Sequence, residues 1–155
     1  MVTFDNDVYE IFRPQPKRAE LRKKAYDACV VQGGTAFYDA LVKSAKLLES
    51  TPTGIQPWLI ALTDGADQHS STYNLASAIT TLRGLALTPN IIIVGIELPQ
   101  EYKGGMGELA KVTEDSFFID AKAGLASLDA AFVKVASIMS RGPGRVARPT
   151  LKSRP

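Results

Sequence analysis

Cysteine and histidine are almost absent from this chain of 155 residues, which has one of each, Cys29 and His69. A single cysteine excludes an internal disulfide and a cysteine-rich zinc site, so we expect Cys29 to be a small buried side chain. No stretch approaches the roughly 20 apolar residues that a membrane-spanning helix needs. The segment after Met1 also lacks the basic start and apolar run of a signal peptide. The sequence therefore predicts an intracellular, cytoplasmic protein without a membrane span.

Acidic residues are missing from the last part of the chain, residues 141–155, which also contains three prolines and two glycines. Its five basic residues are Arg141, Arg145, Arg148, Lys152 and Arg154. The whole chain carries a net charge of +2, so residues 1–140 carry −3. A segment with so few apolar residues cannot form a packed core. We expect one domain over residues 1–140 and a disordered, solvated tail over 141–155, and we do not expect nucleic-acid binding.

The remaining residues alternate between short apolar runs and segments with helical spacing. Two short strands, 2–4 and 8–12, flank a turn at Asp5-Asn6-Asp7 and predict a hairpin. The nearly continuous apolar runs at 58–63 and 91–96 are typical of strands that are covered on both faces. A further strand is predicted at 116–120. The predicted helices cover 18–31, 35–49, 75–82, 106–112, after a loop at Gly104-Gly105, and 125–139, whose apolar face is Leu125, Leu128, Phe132, Val135 and Met139.

This order of elements predicts an α/β fold. From residue 35 onward strands and helices alternate, which indicates an open, mainly parallel, doubly wound (Rossmann-like) sheet with helices on both faces. The N-terminal hairpin adds an antiparallel pair.

Five segments, in order along the chain, resemble the von Willebrand factor A domain, a fold shared with integrin inserted domains. They are VTFDNDVYEIFRP, GGTAFYDAL, LIALTDGAD, IIIVGI and GELAKVTEDSFFIDA, and they span about residues 1–140. The resemblance implies a protein-interaction domain without catalytic activity. It also implies a metal-ion-dependent adhesion site that holds Mg²⁺ or Mn²⁺ and binds an Asp or Glu side chain of a protein partner.

The resemblance assigns the metal ligands to Thr35 and Asp64. Further positions at the rim of the site, or behind its ligands, are Asp5, Gly34, Asp67 and Asp120. Mg²⁺ prefers six oxygens in octahedral geometry and usually keeps several waters. Because two protein oxygens leave most of that shell unfilled, we expect the metal to require ligands from outside this chain.

The sequence departs from the family at the first strand and first helix, which are missing together with the Asp-x-Ser-x-Ser loop that follows that strand. The loss predicts a slot between the hairpin and the strand at 58–63, with unpaired backbone on both sides. Three explanations are open: a truncated sequence, completion by a strand from another chain or a second copy, or a sheet that has closed up.

Simpler structural roles are also open for these residues, and for Thr35 the simpler role is compatible with metal binding. Thr35 is also placed to act as a helix N-cap, and Ser70, Ser71 and Thr72 to cap the helix that follows them. His69 is expected to be a surface loop residue, because no strained nucleophile turn accompanies it. The alternative function is a metal-assisted phosphoryl hydrolase, or another α/β enzyme, that uses Asp64.

Overall fold

The computed structural model describes residues 1–11, 13, 19–28 and 33–140. Several sequence predictions lie outside the described residues. They concern the burial of Cys29, residue 12 of the hairpin, residues 18 and 29–31 of the first helix, and the basic tail over 141–155.

Five strands and five helices make up the described part of the chain. The strands are β1 (Val2–Phe4), β2 (Val8–Glu10), β3 (Trp58–Thr63), β4 (Asn90–Ile96) and β5 (Phe117–Ala121). The helices are α1 (Ala19–Asp27), α2 (Phe37–Leu48), α3 (Leu75–Arg83), α4 (Gln100–Leu109) and α5 (Leu125–Ser140).

The strands form two separate sheets. One is parallel, with the order β3-β4-β5, and the other is the antiparallel hairpin of β1 and β2. The strand–helix–strand crossover predicted between residues 58 and 96 is confirmed, because β3 pairs with β4 in parallel. The α/β class is also confirmed. In the described part of the chain the hairpin does not pair with β3, so the sheet has not closed across the predicted slot.

Strand β4 lies at the centre of the parallel sheet and is almost wholly buried. Ile91 and Ile93 belong to a core cluster with residues of α2, α3 and α4, whereas Ile92 and Val94 belong to a cluster with α5. Because successive side chains of a strand point to opposite faces, these clusters lie on the two faces of the sheet. Helices therefore cover both faces, which explains why this strand is a continuous apolar run.

The prediction of a loop at Gly104-Gly105 followed by a helix at 106–112 is wrong. Both glycines lie inside α4, which begins at Gln100 and ends at Leu109. A Cβ on Gly105 would lie 3.2 Å from Leu75 Cδ2, so the missing side chain lets α4 approach α3 closely. Packing between the helices therefore outweighs the low helix propensity of glycine.

The apolar face predicted for the last helix is also partly wrong. The buried residues of α5 are Ala131, Val135 and Ile138, while Leu125, Phe132 and Met139 are exposed. The apolar face of α5 is thus wider than the part of it that packs against the sheet. None of the helices in the described ranges is long and apolar enough to cross a membrane.

Candidate functional site

A groove separates the hairpin from the parallel sheet, at the position of the predicted slot. It has a volume of about 540 Å³. Its walls are the backbone and side chains of β1 and β3, and its floor is one face of α2. At one end it is closed by residues 33–35 and Asp64. We call this end, where β3 terminates, the carboxyl end of the groove.

Thr35 and Asp64, the two predicted metal ligands, meet at the carboxyl end. A Cβ on Gly65, the neighbour of Asp64, would lie only 2.9 Å from Thr35 Oγ1. Thr63 holds this turn, because its hydroxyl donates to the Gly65 carbonyl over 2.9 Å. Asp64 is exposed, and its carboxylate makes no hydrogen bond or ion pair with another described residue. The fold therefore brings the pair together and leaves the carboxylate available to a ligand.

The prediction that Thr35 caps the helix is wrong. The N-cap of α2 is Ala36, which makes no side-chain cap hydrogen bond. The loop after β3 supplies the caps instead: Asp67 Oδ1 accepts from Tyr38 N at 3.0 Å, and Ser70 Oγ accepts from Asp39 N at 2.9 Å. Asp67 is thus bonded to the start of α2. The Thr35 hydroxyl does not cap that helix and lies at the groove.

The caps predicted for the following helix are likewise wrong. The N-cap of α3 is Asn74, which forms a capping box with Ser77, so Ser70, Ser71 and Thr72 do not cap this helix. Ser70 also donates its hydroxyl to Asp67. The Ser70 hydroxyl is therefore engaged at the start of α2, with Asp39 N as its donor and Asp67 as its acceptor.

The turn of the hairpin is tied to the residues around Thr35. Asp5 Oδ1 accepts from Asp7 N at 2.9 Å within the turn, and the Asp5 carbonyl accepts from Ala36 N at 2.7 Å. Asn6 Oδ1 accepts from Gly34 N. Asp5 therefore lies beside the site but uses its carboxylate in the turn, and Asn6 is a positioning residue that the sequence did not reveal.

Gly34 lies where no larger residue fits without rearrangement. A Cβ there would be 2.0 Å from His69 Nδ1 and 2.7 Å from Asn6 Oδ1. His69 is exposed, as predicted, and its Nδ1 accepts from Thr35 N at 3.4 Å. Gly34 thus allows both side chains to approach the backbone that carries Thr35.

Asp120 lies at the same edge of the sheet but apart from the pair. It is aligned with Gly95 of β4, which is aligned with Thr63 of β3. Two strand spacings separate Asp120 from Thr63, about 10 Å in total. The Asp120 carboxylate pairs with Lys103 Nζ at 2.7 Å. Of the four predicted rim positions, Asp120 is the one that lies apart from Thr35 and Asp64.

Asp39 was not predicted from the sequence as a site residue, but it holds the loop after β3 by hydrogen bonds. Its carboxylate accepts from the backbone N–H groups of Ser71 at 3.0 Å, Thr72 at 3.2 Å and Tyr73 at 2.8 Å. Burial raises the pKa of Asp39, but the hydrogen bonds from these three N–H groups lower it by more, so the net pKa is below its ordinary value. Asp39 therefore fixes the far end of the loop that begins at Asp64.

Asp39→Asn is expected to lower the free energy of unfolding by about 1–3 kcal/mol at about pH 7, because bonds to a charged acceptor become bonds to a neutral one. An unfolded aspartate titrates near about pH 3.9, and the folded pKa is lower. The stabilisation is therefore complete above about pH 5 and is lost as the pH falls through the folded pKa.

Urea unfolding of wild type and Asp39→Asn at about pH 7 and about pH 3 measures this effect, and the difference should shrink at the lower pH. Asp129→Asn changes an exposed carboxylate on α5 and serves as the control. A difference between wild type and Asp39→Asn that is the same at both pH values would contradict this role.

The donor set at the carboxyl end is too small to enclose a divalent cation by itself. The Thr35 hydroxyl and the Asp64 carboxylate are the oxygens available there, since Asp5 and Asp67 are engaged elsewhere. Among the described residues no three or more His, Cys, Asp or Glu side chains are grouped to hold a metal. A six-oxygen shell would need most of its ligands from water and a partner.

Comparison with known proteins leaves the family open: no protein-family model matches this chain, and no curated protein matches its sequence.

Proposed function

We propose that this chain is a protein-interaction domain of the von Willebrand factor A type, with a Rossmann-like sheet and no catalytic activity. The carboxyl end of the groove is its binding site. Thr35 and Asp64 form a partial Mg²⁺ or Mn²⁺ site there, and a partner completes it with an Asp or Glu side chain. With a single cysteine and no disulfide framework, the proposed setting is the cytoplasm.

One observation carries the proposal: Thr35 Oγ1 and the turn at Asp64 converge at one end of an open groove, and no described residue occupies the Asp64 carboxylate. Hydrogen bonds to the hairpin turn and to the loop after β3 hold the backbone around Thr35, and the bond from the Thr63 hydroxyl to the Gly65 carbonyl holds the turn at Asp64. Such a pair supplies hydroxyl and carboxylate oxygens, which are the ligands that Mg²⁺ prefers, and leaves several positions open. An acidic side chain of a partner is suited to fill one of them.

Calorimetric titration of Mg²⁺ and Mn²⁺, in the presence of a short synthetic peptide with one aspartate, tests the proposal. The expected result is binding by the wild type that falls at least about tenfold in Thr35→Ala and in Asp64→Ala, because each removes one of two protein ligands. The same peptide with asparagine in place of aspartate should not bind.

Asp120→Ala is the matched control, because it removes a carboxylate at the same sheet edge that is already paired with Lys103. It should bind as the wild type does. Equal binding, or equally negligible heats, in all four proteins would contradict the metal site. Turnover of a phosphate ester that disappears in Asp64→Ala would instead favour the hydrolase.

A further inference from the structure

We infer that the groove binds an extended, apolar β-strand of a partner polypeptide, which pairs with β1 on one side and with β3 on the other. The inference deepens the proposed function by giving the form of the partner, and it rests on that proposal only in treating the groove as the interaction site. It requires no metal.

The first wall of the groove is a free strand edge. Within the hairpin, Ile11 N donates to the Met1 carbonyl and Asp5 N donates to the Asp7 carbonyl, both at 3.0 Å. In an antiparallel pair, hydrogen-bonded and non-hydrogen-bonded residues alternate. The backbone N–H and C=O groups of Val2 and Phe4 therefore point away from β2, toward the groove.

The opposite wall is a second free edge. Strand β3 is the end strand of the parallel sheet, and Asn90 N donates to the Pro57 carbonyl at 3.0 Å. Successive residues of a strand turn their N–H and C=O groups to opposite sides, so those of Trp58, Ile60 and Leu62 point away from β4. Among the described residues none bonds to these groups. Unpaired edges of this kind are templates for another strand.

The two edges run in the same direction. The carboxyl end of β1 is joined to α2 by the bond between Ala36 N and the Asp5 carbonyl, and Thr35 lies against Gly65 at the carboxyl end of β3. One strand between them can therefore be parallel to both. Sheets of uniform direction are favoured over random mixtures, so we assign the parallel orientation to the partner.

The size and charge of the groove define the partner further. A strand as long as the six residues of β3 is about 20 Å long and occupies about 5 Å of sheet width, which suits a groove of about 540 Å³. Within the described residues, Asp64 at the carboxyl end is the one ionisable side chain of the lining, and Met1, which carries the α-ammonium of the chain, lines the groove at the amino end of β1. The middle of the partner strand must therefore be uncharged, because a charge buried between these two ends would have no counter-ion.

The outer face of β3, which is the face toward α5, carries apolar side chains that are only partly covered. Trp58 packs against the cluster that includes α5, and Ile60 and Leu62 share its face of the strand by alternation. They remain 39% and 38% exposed. On the inner face the groove is floored by α2, through Ala40, Leu41 and Ser44 among others. A strand in the groove would thus place apolar side chains on both faces.

The test uses the whole wild-type chain, labelled with ¹⁵N and kept in a chelator so that no metal contributes. The probe is a synthetic peptide with two lysines followed by six alternating valine and isoleucine residues and a C-terminal amide. Amide hydrogen exchange is measured by NMR. The expected result is at least about tenfold slower exchange at Phe4, Ile60 and Leu62, whose N–H groups face the groove.

The control peptide has proline at two central positions, which removes the donors that a ladder needs. It should give no protection. The N–H groups of Thr3 and Thr63 face their existing partners and should change little with either peptide. Protection by both peptides alike, or by neither, would overturn the inference.

A second copy of the chain is the competing occupant. Slow exchange at Phe4, Ile60 and Leu62 without peptide, together with a dimeric mass in sedimentation, would assign the groove to self-association and overturn the inference of a separate partner. If calorimetry detects no Mg²⁺ binding, the metal site is contradicted, but the peptide result is unaffected because it is measured in a chelator. The two proposals can therefore fail separately.

Discussion

Phe37→Ala is expected to lower the free energy of unfolding by about 3–5 kcal/mol, the usual cost of truncating a buried aromatic residue. Phe37 is 1% exposed and belongs to the cluster that joins α2, α3, α4 and β4. Its ring also meets that of Phe4 edge to face, with centroids 5.9 Å apart. The substitution therefore removes core packing together with an apolar contact between α2 and β1 beside the groove.

Urea unfolding followed by circular dichroism measures the loss. Tyr26→Ala is the control, because Tyr26 is 82% exposed on α1 and its truncation should change stability by less than about 0.5 kcal/mol. If Phe37→Ala and Tyr26→Ala unfold at the same urea concentration, the packing of Phe37 described above is wrong.

Gly95→Val is expected to lower the free energy of unfolding by about 3 kcal/mol, the upper end of the usual cost of overpacking a core. A Cβ on Gly95 would lie 2.4 Å from Leu98 Cδ1 and 2.9 Å from Phe118 Cε2, and Leu98 is buried. Inserting carbon atoms into a packed site forces neighbours off their preferred rotamers. Since Gly95 is aligned with Thr63 of β3, the resulting shift would reach the strand end that carries Asp64.

Gly107→Ala provides the matched glycine control. Nothing lies within 4 Å of a Cβ built on Gly107, and the residue is inside α4. Alanine is favoured over glycine in a helix interior by about 1 kcal/mol, so this variant should be slightly more stable than the wild type. Thermal unfolding of both variants checks the opposite signs, and destabilisation by Gly107→Ala would show that α4 is not helical there.

Continuous apolar runs made the parallel strands predictable. The runs at 58–63 and 91–96 become β3 and β4. The predicted cover on both faces is confirmed for β4, which has apolar residues at nearly every position for that reason. It is wrong for β3, where Ile60 and Leu62 remain 39% and 38% exposed. The helix break predicted at Gly104 and Gly105 is wrong because local propensity was its only basis: both residues lie inside α4, and Gly105 lies close to Leu75 of α3. Tertiary packing decided the outcome.

At the candidate site, the order of segments predicted that Thr35 and Asp64 would converge, and the fold places them at one end of the groove. Asp39 and Asn6 were not predictable in this way. Asn6 bonds across 28 positions of sequence and Asp39 across 34. No local spacing encodes such contacts, because they depend on how the hairpin, α2 and the loop after β3 pack together.

The same long-range contacts changed the interpretation of Thr35. From sequence, a threonine just before a helix is a reasonable N-cap. The loop after β3 takes over that role with Asp67 and Ser70. The Thr35 hydroxyl is thereby left for the groove, which strengthens the proposal for a binding site over a purely structural role.

We propose that a divalent cation and a partner bind at the carboxyl end of the groove. The most direct measurement is an NMR spectrum of the ¹⁵N-labelled chain at substoichiometric Mn²⁺, since a paramagnetic ion broadens the amide signals nearest to it. If Mn²⁺ binds there, the signals of Gly34, Thr35 and Gly65 should broaden first, and Asp64→Ala should remove the effect. Broadening centred on Asp120 and Lys103, or spread evenly over the surface carboxylates, would contradict it.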